Sequence, residues 1–115
     1  MRINSFEEIL AWQKAKILSV KIYKIFNQSR DFGFRDQIRR ATVSIMNNIA
    51  EGFERGTSQE LKRFLFIAKG SCGEARSMLY LAREIKYINT QEFNELLCLC
   101  TEISKLLSGF IKYLK

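Results

Sequence analysis

The stretch from Asp36 to Gly56 constrains the fold more than any other part of the sequence. Apolar and small side chains recur in it at spacings of three and four, the period of one helix face. These residues are Ile38, Ala41, Thr42, Ile45, Ile49 and Phe53. The other faces carry the adjacent pair Arg39 and Arg40, and Gly56 suits the position just after the last helical turn. The stretch therefore predicts an amphipathic helix with a polar face that can serve a function.

Similar repeats fill the rest of the chain, which has 115 residues, no proline, 47% hydrophobic and 27% charged residues. Such a composition is typical of one soluble globular domain, and no run of alternating β-branched residues indicates a strand. We predict an all-α single domain over residues 1–115, folded as an antiparallel up-down-up-down four-helix bundle. Its helices are expected at about 5–27, 35–55, 58–87 and 91–114.

Capping signals support these bounds. A Ser, Thr or Asn followed three residues later by Glu is typical of a capping box at a helix start. Three such pairs occur: Ser5 with Glu8, Thr57 with Glu60, and Asn89 with Glu92, where Thr90 is an alternative cap. The second helix is expected to follow a connection over 27–34 that Gly33 breaks, with Asp36 in its first turn.

The net charge of +7 is unevenly distributed. Residues 9–50 hold eight Lys and Arg against two Asp, whereas residues 51–102 are nearly balanced. A field of this kind favours polyanionic partners such as RNA or DNA, and the alternative interpretation is a solvated surface that keeps the protein soluble. The candidate phosphate contacts are Lys14, Lys21, Arg35, Arg39, Arg40, Lys62 and Arg63.

Adjacent arginines on a helix diverge by about 100°. One of Arg39 and Arg40 is therefore expected to reach solvent while the other pairs with an internal carboxylate such as Glu51. Trp12 and Tyr23 can stack on a base, but packing at the rim of the core is the favoured interpretation.

Catalytic chemistry has little support in this sequence. The absence of histidine excludes Ser–His and Cys–His nucleophiles and histidine-based zinc sites. Glu51 and Glu54 could serve a carboxylate-dependent nuclease, but a solvated helix end with Arg55 as partner is favoured. Three cysteines, Cys72, Cys98 and Cys100, are interpreted as buried free thiols. We predict no catalytic residue, no cofactor and no metal.

Surface and targeting signals are also informative. No apolar run of membrane-spanning length and no signal-peptide core occurs, so we expect a cytoplasmic protein without a membrane partner. Apolar residues exceed what one bundle core needs, which indicates self-association. The small residues of 68–75 would allow close helix approach, either within the bundle or between subunits.

The segment Gln37–Ser71, QIRRATVSIMNNIAEGFERGTSQELKRFLFIAKGS, closely resembles the signature of the 23S rRNA intervening-sequence proteins. FEEILAWQKA near the start, and LAREIKYI and ISKLLSGFIKYL towards the end, extend the resemblance over nearly the whole chain. Members of this family are similar to the accessory protein of diversity-generating retroelements. The resemblance implies an antiparallel four-helix bundle that assembles as a homopentameric ring with a basic surface, and it implies a reverse transcriptase or a ribosome-associated protein among the partners.

Individual residues carry over from the family pattern. Its arginine pair falls on Arg39 and Arg40, and its asparagine and glutamate fall on Asn48 and Glu51, which the resemblance leads us to expect in buried hydrogen bonds between helices. Two positions depart from the pattern. Met46 stands where proline is common, and Arg35 stands where a Ser or Thr cap is usual.

Two main functions follow from these observations. The leading hypothesis is a non-enzymatic, oligomeric bundle that binds RNA or DNA through phosphate contacts. The alternative is a protein-interaction scaffold for a polymerase-like or ribosome-associated partner, without direct nucleic-acid binding.

Overall fold

Four antiparallel helices form an up-down-up-down bundle, as the sequence predicted. The computed structural model describes residues 2–114, so Met1 and Lys115 of the predicted 1–115 domain lie outside the described residues. The helices are α1 (Leu10–Ile25), α2 (Phe32–Glu54), α3 (Ser58–Glu84) and α4 (Thr90–Tyr113). Each packs against its neighbours in chain order, and α4 closes back onto α1. The described part of the chain contains no strand and measures 42 × 21 × 19 Å.

The core lies along the bundle axis and is built from the apolar stripes of all four helices. In α2 it contains the stripe that the sequence identified, including Ile38, Ile45 and Ile49, each with no exposed surface. Thr42 is buried among them, and its hydroxyl donates to the backbone oxygen of Arg39 at 3.1 Å. That local bond satisfies a polar group which would otherwise be costly to bury.

The start of the first helix was predicted wrongly. Ser5 makes no side-chain cap bond, and Phe6–Glu8 form a separate 3₁₀ turn. Ile9 then adopts an extended backbone, which interrupts the helix, and its side chain is buried. Phe6 packs edge-on against Trp12 with ring centroids 5.1 Å apart. Burial of these apolar side chains thus overrides the capping signal, and α1 begins at Leu10.

The second helix begins three residues earlier than predicted, because Asp31 caps it. Its Oδ1 accepts a hydrogen bond from the backbone N–H of Phe34 at 3.0 Å. Gly33 therefore lies in the first turn instead of breaking the connection, and Asp36 is already the fifth helical residue. Arg35 does not stand at the cap, and α2 continues without interruption past Met46. The predicted Gly56 cap is confirmed, with φ of +85° directly after the last turn.

The remaining helix ends agree in part with the signals. Asn89 and Glu92 form the reciprocal capping box at α4. Thr57 accepts from the N–H of Glu60, but the Glu60 carboxylate bonds Arg63, so only half of that box forms.

The third helix ends at Glu84 because Lys86 takes a left-handed φ of 64°. The N–H of Tyr87 then bonds the oxygen of Ala82 at 2.8 Å, and the N–H of Lys86 bonds that of Arg83 at 3.1 Å. This is the pattern of a Schellman motif.

Candidate nucleic-acid interface

Basic residues are concentrated on α1 and on the half of α2 that packs beside it across the α1–α2 seam. Helix α1 carries four lysines and no acidic residue, and the facing N-terminal half of α2 carries three arginines with Asp36 as its acid. Arg39 joins the two helices. Its guanidinium lies 4.3 Å from the centroid of the Tyr23 ring and donates to the backbone oxygen of Tyr23 at 3.1 Å. Arg39 therefore fixes the seam while it contributes charge to it.

Arg40 is exposed and lies beside a shallow groove of about 540 Å³, lined by residues of α2 together with Tyr23 of α1 and Glu74 of α3. Its Nη2 donates to Oε1 of Gln37 at 2.9 Å, and Gln37 in turn donates to Glu74 of α3. Arg40 thus forms no direct ion pair within residues 2–114, and the Glu74 carboxylate lines the same groove. Arg40 can therefore contact a phosphate without first losing an ion pair.

The expected pairing of either arginine with Glu51 is wrong. Glu51 is exposed and pairs with Arg55 at 2.9 Å, four residues further along the same helix. Asn48 also bonds within α2, to the backbone oxygen of Ser44 at 2.8 Å and its hydroxyl at 3.0 Å. In this region, a hydrogen bond between the hydroxyls of Ser44 and Ser71 crosses from α2 to α3 at 2.9 Å. Short side chains make this bond because the two helices are close here.

Arg35 lies one turn before Arg39 on the same side of α2. Its Nε donates to Asp36 at 3.0 Å, and its guanidinium lies 4.8 Å from the centroid of the Phe32 ring. Arg35, Arg39 and Arg40 thus form one group on the N-terminal half of α2, which we call the α2 arginine group.

Lys14 and Lys21 lie on a different seam. Each pairs with a carboxylate of α4, Lys14 with Glu102 and Lys21 with Glu95, both at 3.3 Å. Exposed pairs of this kind contribute at most about 1 kcal/mol, so the lysines can still exchange partners. They lie on the α1–α4 side, however, and are not brought together with the α2 arginine group.

Lys62 and Arg63 lie at the start of α3, near the other end of the bundle. Arg63 bonds both oxygens of Glu60 at 3.2 and 3.3 Å and stacks on Phe64 with 4.5 Å to the centroid. The hydrogen bond from Arg63 holds the pKa of Glu60 below its usual value, and the same bond raises the pKa of Arg63. With a rise of about 1.5 Å per residue, these cations lie roughly 20 Å along the bundle from Arg40.

Two further lysines on α1 were not among the candidate phosphate contacts predicted from sequence. Lys16 and Lys24 are exposed, and neither forms an ion pair within residues 2–114. Lys16 lies 5.6 Å from the centroid of the Trp12 ring. The spacing of four residues between Trp12 and Lys16 is the signal that could have identified this contact.

Among residues 2–114, no group of three or more Cys, Asp or Glu could hold a metal ion. Cys98 is exposed, contrary to expectation, whereas Cys72 and Cys100 are buried. The Cys72 thiol donates to the Cys100 backbone oxygen at 3.2 Å, and the contact with Cys72 together with burial raises the pKa of Cys100. Within residues 2–114, none of the helices has the length and apolarity needed to cross a membrane.

Comparisons with known proteins agree with this architecture. A family model described as 23S rRNA-intervening sequence protein matches residues 7–109. The chain is also similar to the crystal structure of a protein of unknown function from the S23 ribosomal protein family of Bacteroides thetaiotaomicron. The two share 29% sequence identity with a TM-score of 0.83, over 90% of this chain and 99% of that chain. No curated protein matches the chain.

Proposed function

The chain belongs to the 23S rRNA-intervening sequence protein family, and from that membership we propose that it is a non-enzymatic, oligomeric bundle that binds RNA or DNA through phosphate contacts. One observation carries the proposal: the α2 arginine group lies beside α1, which has no acidic residue, and within residues 2–114 Arg35 is the member of the group that forms an ion pair, with Asp36. A basic surface of this kind attracts a phosphate backbone whatever its sequence.

The proposed contacts differ in how readily they become available. Arg40 needs no ion pair to break, and Arg39 and Arg35 present guanidinium groups that already rest on aromatic rings. Lys14 and Lys21 would exchange their α4 carboxylates for phosphates. Lys62 and Arg63 form a second, more distant contact region. The α2 arginine group is therefore the proposed centre of the interface.

Fluorescence anisotropy with labelled RNA and DNA across a salt series tests the proposal. Removing two phosphate contacts with Arg39→Ala/Arg40→Ala should weaken binding. It should also reduce the log–log salt slope by about 1.4 on single strands and about 1.8 on duplex DNA. Lys105→Ala/Lys112→Ala removes the same charge from exposed positions on α4 and is the matched control. Arg40→Ala alone spares the Arg39–Tyr23 contact and checks that any loss does not reflect a disturbed seam.

Equal losses in both double variants would show that net charge alone governs binding. Absence of binding at low salt would contradict the proposal and leave the basic side as a solvated surface.

The scaffold function has an observation of its own in its favour. Four of the large exposed apolar residues lie on α3: Phe66, Ile67, Tyr80 and Leu81. Such a surface suits protein contacts, either between copies in the ring that the family resemblance implies or with a polymerase-like or ribosome-associated partner. Affinity capture from a nuclease-treated lysate separates the two functions, because a scaffold retains its partner whereas a nucleic-acid-mediated association is lost.

A further inference from the structure

Aromatic rings paired with cations recur along the α1–α2 seam. The Arg35 guanidinium lies 4.8 Å from the centroid of the Phe32 ring, and the Arg39 guanidinium lies 4.3 Å from that of Tyr23. The Lys16 ammonium lies 5.6 Å from the centroid of the Trp12 ring. Phe32 is 59% exposed and Tyr23 44% exposed, while Trp12 is half-buried. Because about half of the surface of Phe32 and Tyr23 is exposed, packing in the core does not account for these rings on its own.

Helix geometry places these pairs on one line. On α2, the residues at 32, 35 and 39 are separated by three and four positions and so share one side of the helix. On α1, those at 12, 16 and 23 are separated by four and seven positions and also share one side. The Arg39–Tyr23 contact joins the two sides across the antiparallel seam. We call this line, from Phe32 through Tyr23 to Trp12, the seam track.

The dimensions of the seam track suit a short nucleic-acid segment. At about 1.5 Å per residue, Phe32 lies roughly 10 Å from Arg39 along α2, and Trp12 lies roughly 16 Å from Tyr23 along α1. Because α1 and α2 run in opposite directions, these lengths add to a line of roughly 27 Å. A line of this length can hold on the order of four nucleotides, the lower end of the range for single-strand sites.

The alternation of aromatic rings and cations along the seam track favours single strands over duplexes. Unpaired bases expose π-faces that stack on aromatic rings or on guanidinium planes, while the phosphates between them contact cations. In a duplex the base faces are covered by their neighbours, so the exposed rings of Phe32 and Tyr23 would contribute nothing. A site for duplex phosphates alone needs no aromatic residues.

We propose that the seam track binds single-stranded RNA or DNA, with bases stacked on the Phe32–Arg35 and Tyr23–Arg39 pairs and with Lys16 contacting the backbone. This inference rests on the proposed nucleic-acid function and adds the class of ligand to it. Arg39 has two roles in it, because it holds the seam through the Tyr23 backbone oxygen and also extends the stacking surface of the Tyr23 ring.

The test compares a short oligo(U) and oligo(dT) with a duplex of equal length at one salt concentration. The variants Tyr23→Leu and Phe32→Leu keep apolar bulk and leave the net charge unchanged. Tyr113→Leu is the matched control, because Tyr113 is 56% exposed but lies on α4.

We expect single strands to bind more tightly than the duplex, and each seam variant to weaken single-strand binding by roughly 5- to 150-fold without changing the salt slope. Duplex binding, and all binding by Tyr113→Leu, should stay at wild-type levels. The chain has one tryptophan, Trp12, so its fluorescence should be quenched by the single strands and not by the duplex.

Equal affinity for both forms, with the leucine variants unaffected and Arg39→Ala/Arg40→Ala weakened, would overturn the single-strand inference and leave the proposed function intact. Absence of binding to either form would overturn both.

Discussion

Gly52 lies where α2 comes nearest to α3. A Cβ atom built at this position would lie 2.6 Å from Cβ of Phe64 and 3.2 Å from Cδ1 of Leu61. Since the Phe64 atom is attached directly to the α3 backbone, it cannot move aside without moving the helix. We therefore expect Gly52→Ala to lower the free energy of unfolding by about 1–3 kcal/mol, despite the better helix propensity of alanine.

Gly109→Ala is the matched control, because nothing lies within 4 Å of a Cβ built at this position in α4. Removing glycine from an unobstructed helical site should raise stability by about 0.5–1 kcal/mol. Urea unfolding of both variants at one protein concentration measures the difference. Equal stability changes in the two variants would show that the close α2–α3 approach is not what requires glycine at 52.

The residue scale also shows where sequence reasoning reaches its limit. The apolar period of α2 identified its buried stripe correctly, because period and burial are directly linked. The pairing of Glu51 with Arg55 agrees with the interpretation favoured from sequence. The helical period could not tell, however, that Arg39 rests on Tyr23. Such choices depend on which helix lies next to α2 and at what height, and this information is absent from a single helical period.

At the scale of elements, the turn before α2 and the turn after α3 are joined at one end of the bundle. The Tyr87 hydroxyl donates to Oδ2 of Asp31 at 2.6 Å, and Oδ1 of Asp31 accepts the N–H of Phe34. The same carboxylate therefore caps α2 and ties it to the α3–α4 connection. The Phe34 ring packs edge-on against Tyr87 with 5.3 Å between centroids.

This contact predicts a dependence of stability on pH. The bond from Tyr87, followed by that from Phe34, lowers the pKa of Asp31 below 3.8. The Asp31–Tyr87 contact therefore stabilises the fold fully when the pH is above the pKa of Asp31 in the unfolded state. This stabilisation is lost as the pH falls through the lower pKa of Asp31 in the folded state. The same bond raises the pKa of Tyr87 above 10.0. The stabilisation that comes from this shift is present below pH 10 and is lost as the pH rises through the pKa of Tyr87 in the folded state.

Urea unfolding from acidic to neutral pH, with wild type, Tyr87→Phe and Asp31→Asn, measures the effect. Tyr87→Phe should be less stable than wild type at neutral pH and should lose less on acidification. Asp31→Asn keeps a capping oxygen for Phe34 but no titrating carboxylate, so its acid loss should also shrink. Superimposable pH profiles for all three proteins would rule out the contact as a source of stability.

Helix bounds followed from sequence wherever one local signal governed the end. The Asn89–Glu92 box and Gly56 are such cases, since each acts within one turn. At the start of the chain, the burial of Ile9 overrides the capping signal of Ser5, and this burial is a tertiary effect. Lys86 adopts the left-handed conformation that glycine usually takes, so its residue type does not predict that α3 ends there.

At the scale of the whole molecule, packing separates cations that look equivalent in sequence. All four lysines of α1 belong to the same basic stretch, yet Lys14 and Lys21 face the carboxylates of α4 while Lys16 and Lys24 do not. A helical period shows which residues share a side, but the neighbouring helix decides whether that side is neutralised. The candidate interface is therefore narrower than the sequence suggested and is centred on the α1–α2 seam.

The outer side of α3 presents an apolar strip that a lone bundle leaves open. Phe66 and Leu81 are 54% and 51% exposed, and Gly70, Gly73 and Ser77 lie between them at helical spacing. Ala68, Cys72 and Ala75 of the same segment are buried in the core. The small residues of 68–75 thus include an inward set that packs within the bundle and an outward set available to a second copy.

If copies associate through this strip, as the proposed ring requires, a carboxylate placed on it should dissociate them. Each of Phe66→Asp and Leu81→Asp removes about 1.5–3 kcal/mol of apolar burial per interface, which corresponds to a roughly tenfold or greater loss in the association constant. Tyr113→Asp adds the same charge at a residue that is 56% exposed on α4, outside the strip.

Sedimentation velocity over a range of protein concentrations should show a pentamer for wild type and Tyr113→Asp, and smaller species for the strip variants. Dissociation by Tyr113→Asp alone would move the interface to α4. A monomeric wild type would contradict the ring, and the exposed strip would then support the protein-interaction scaffold instead.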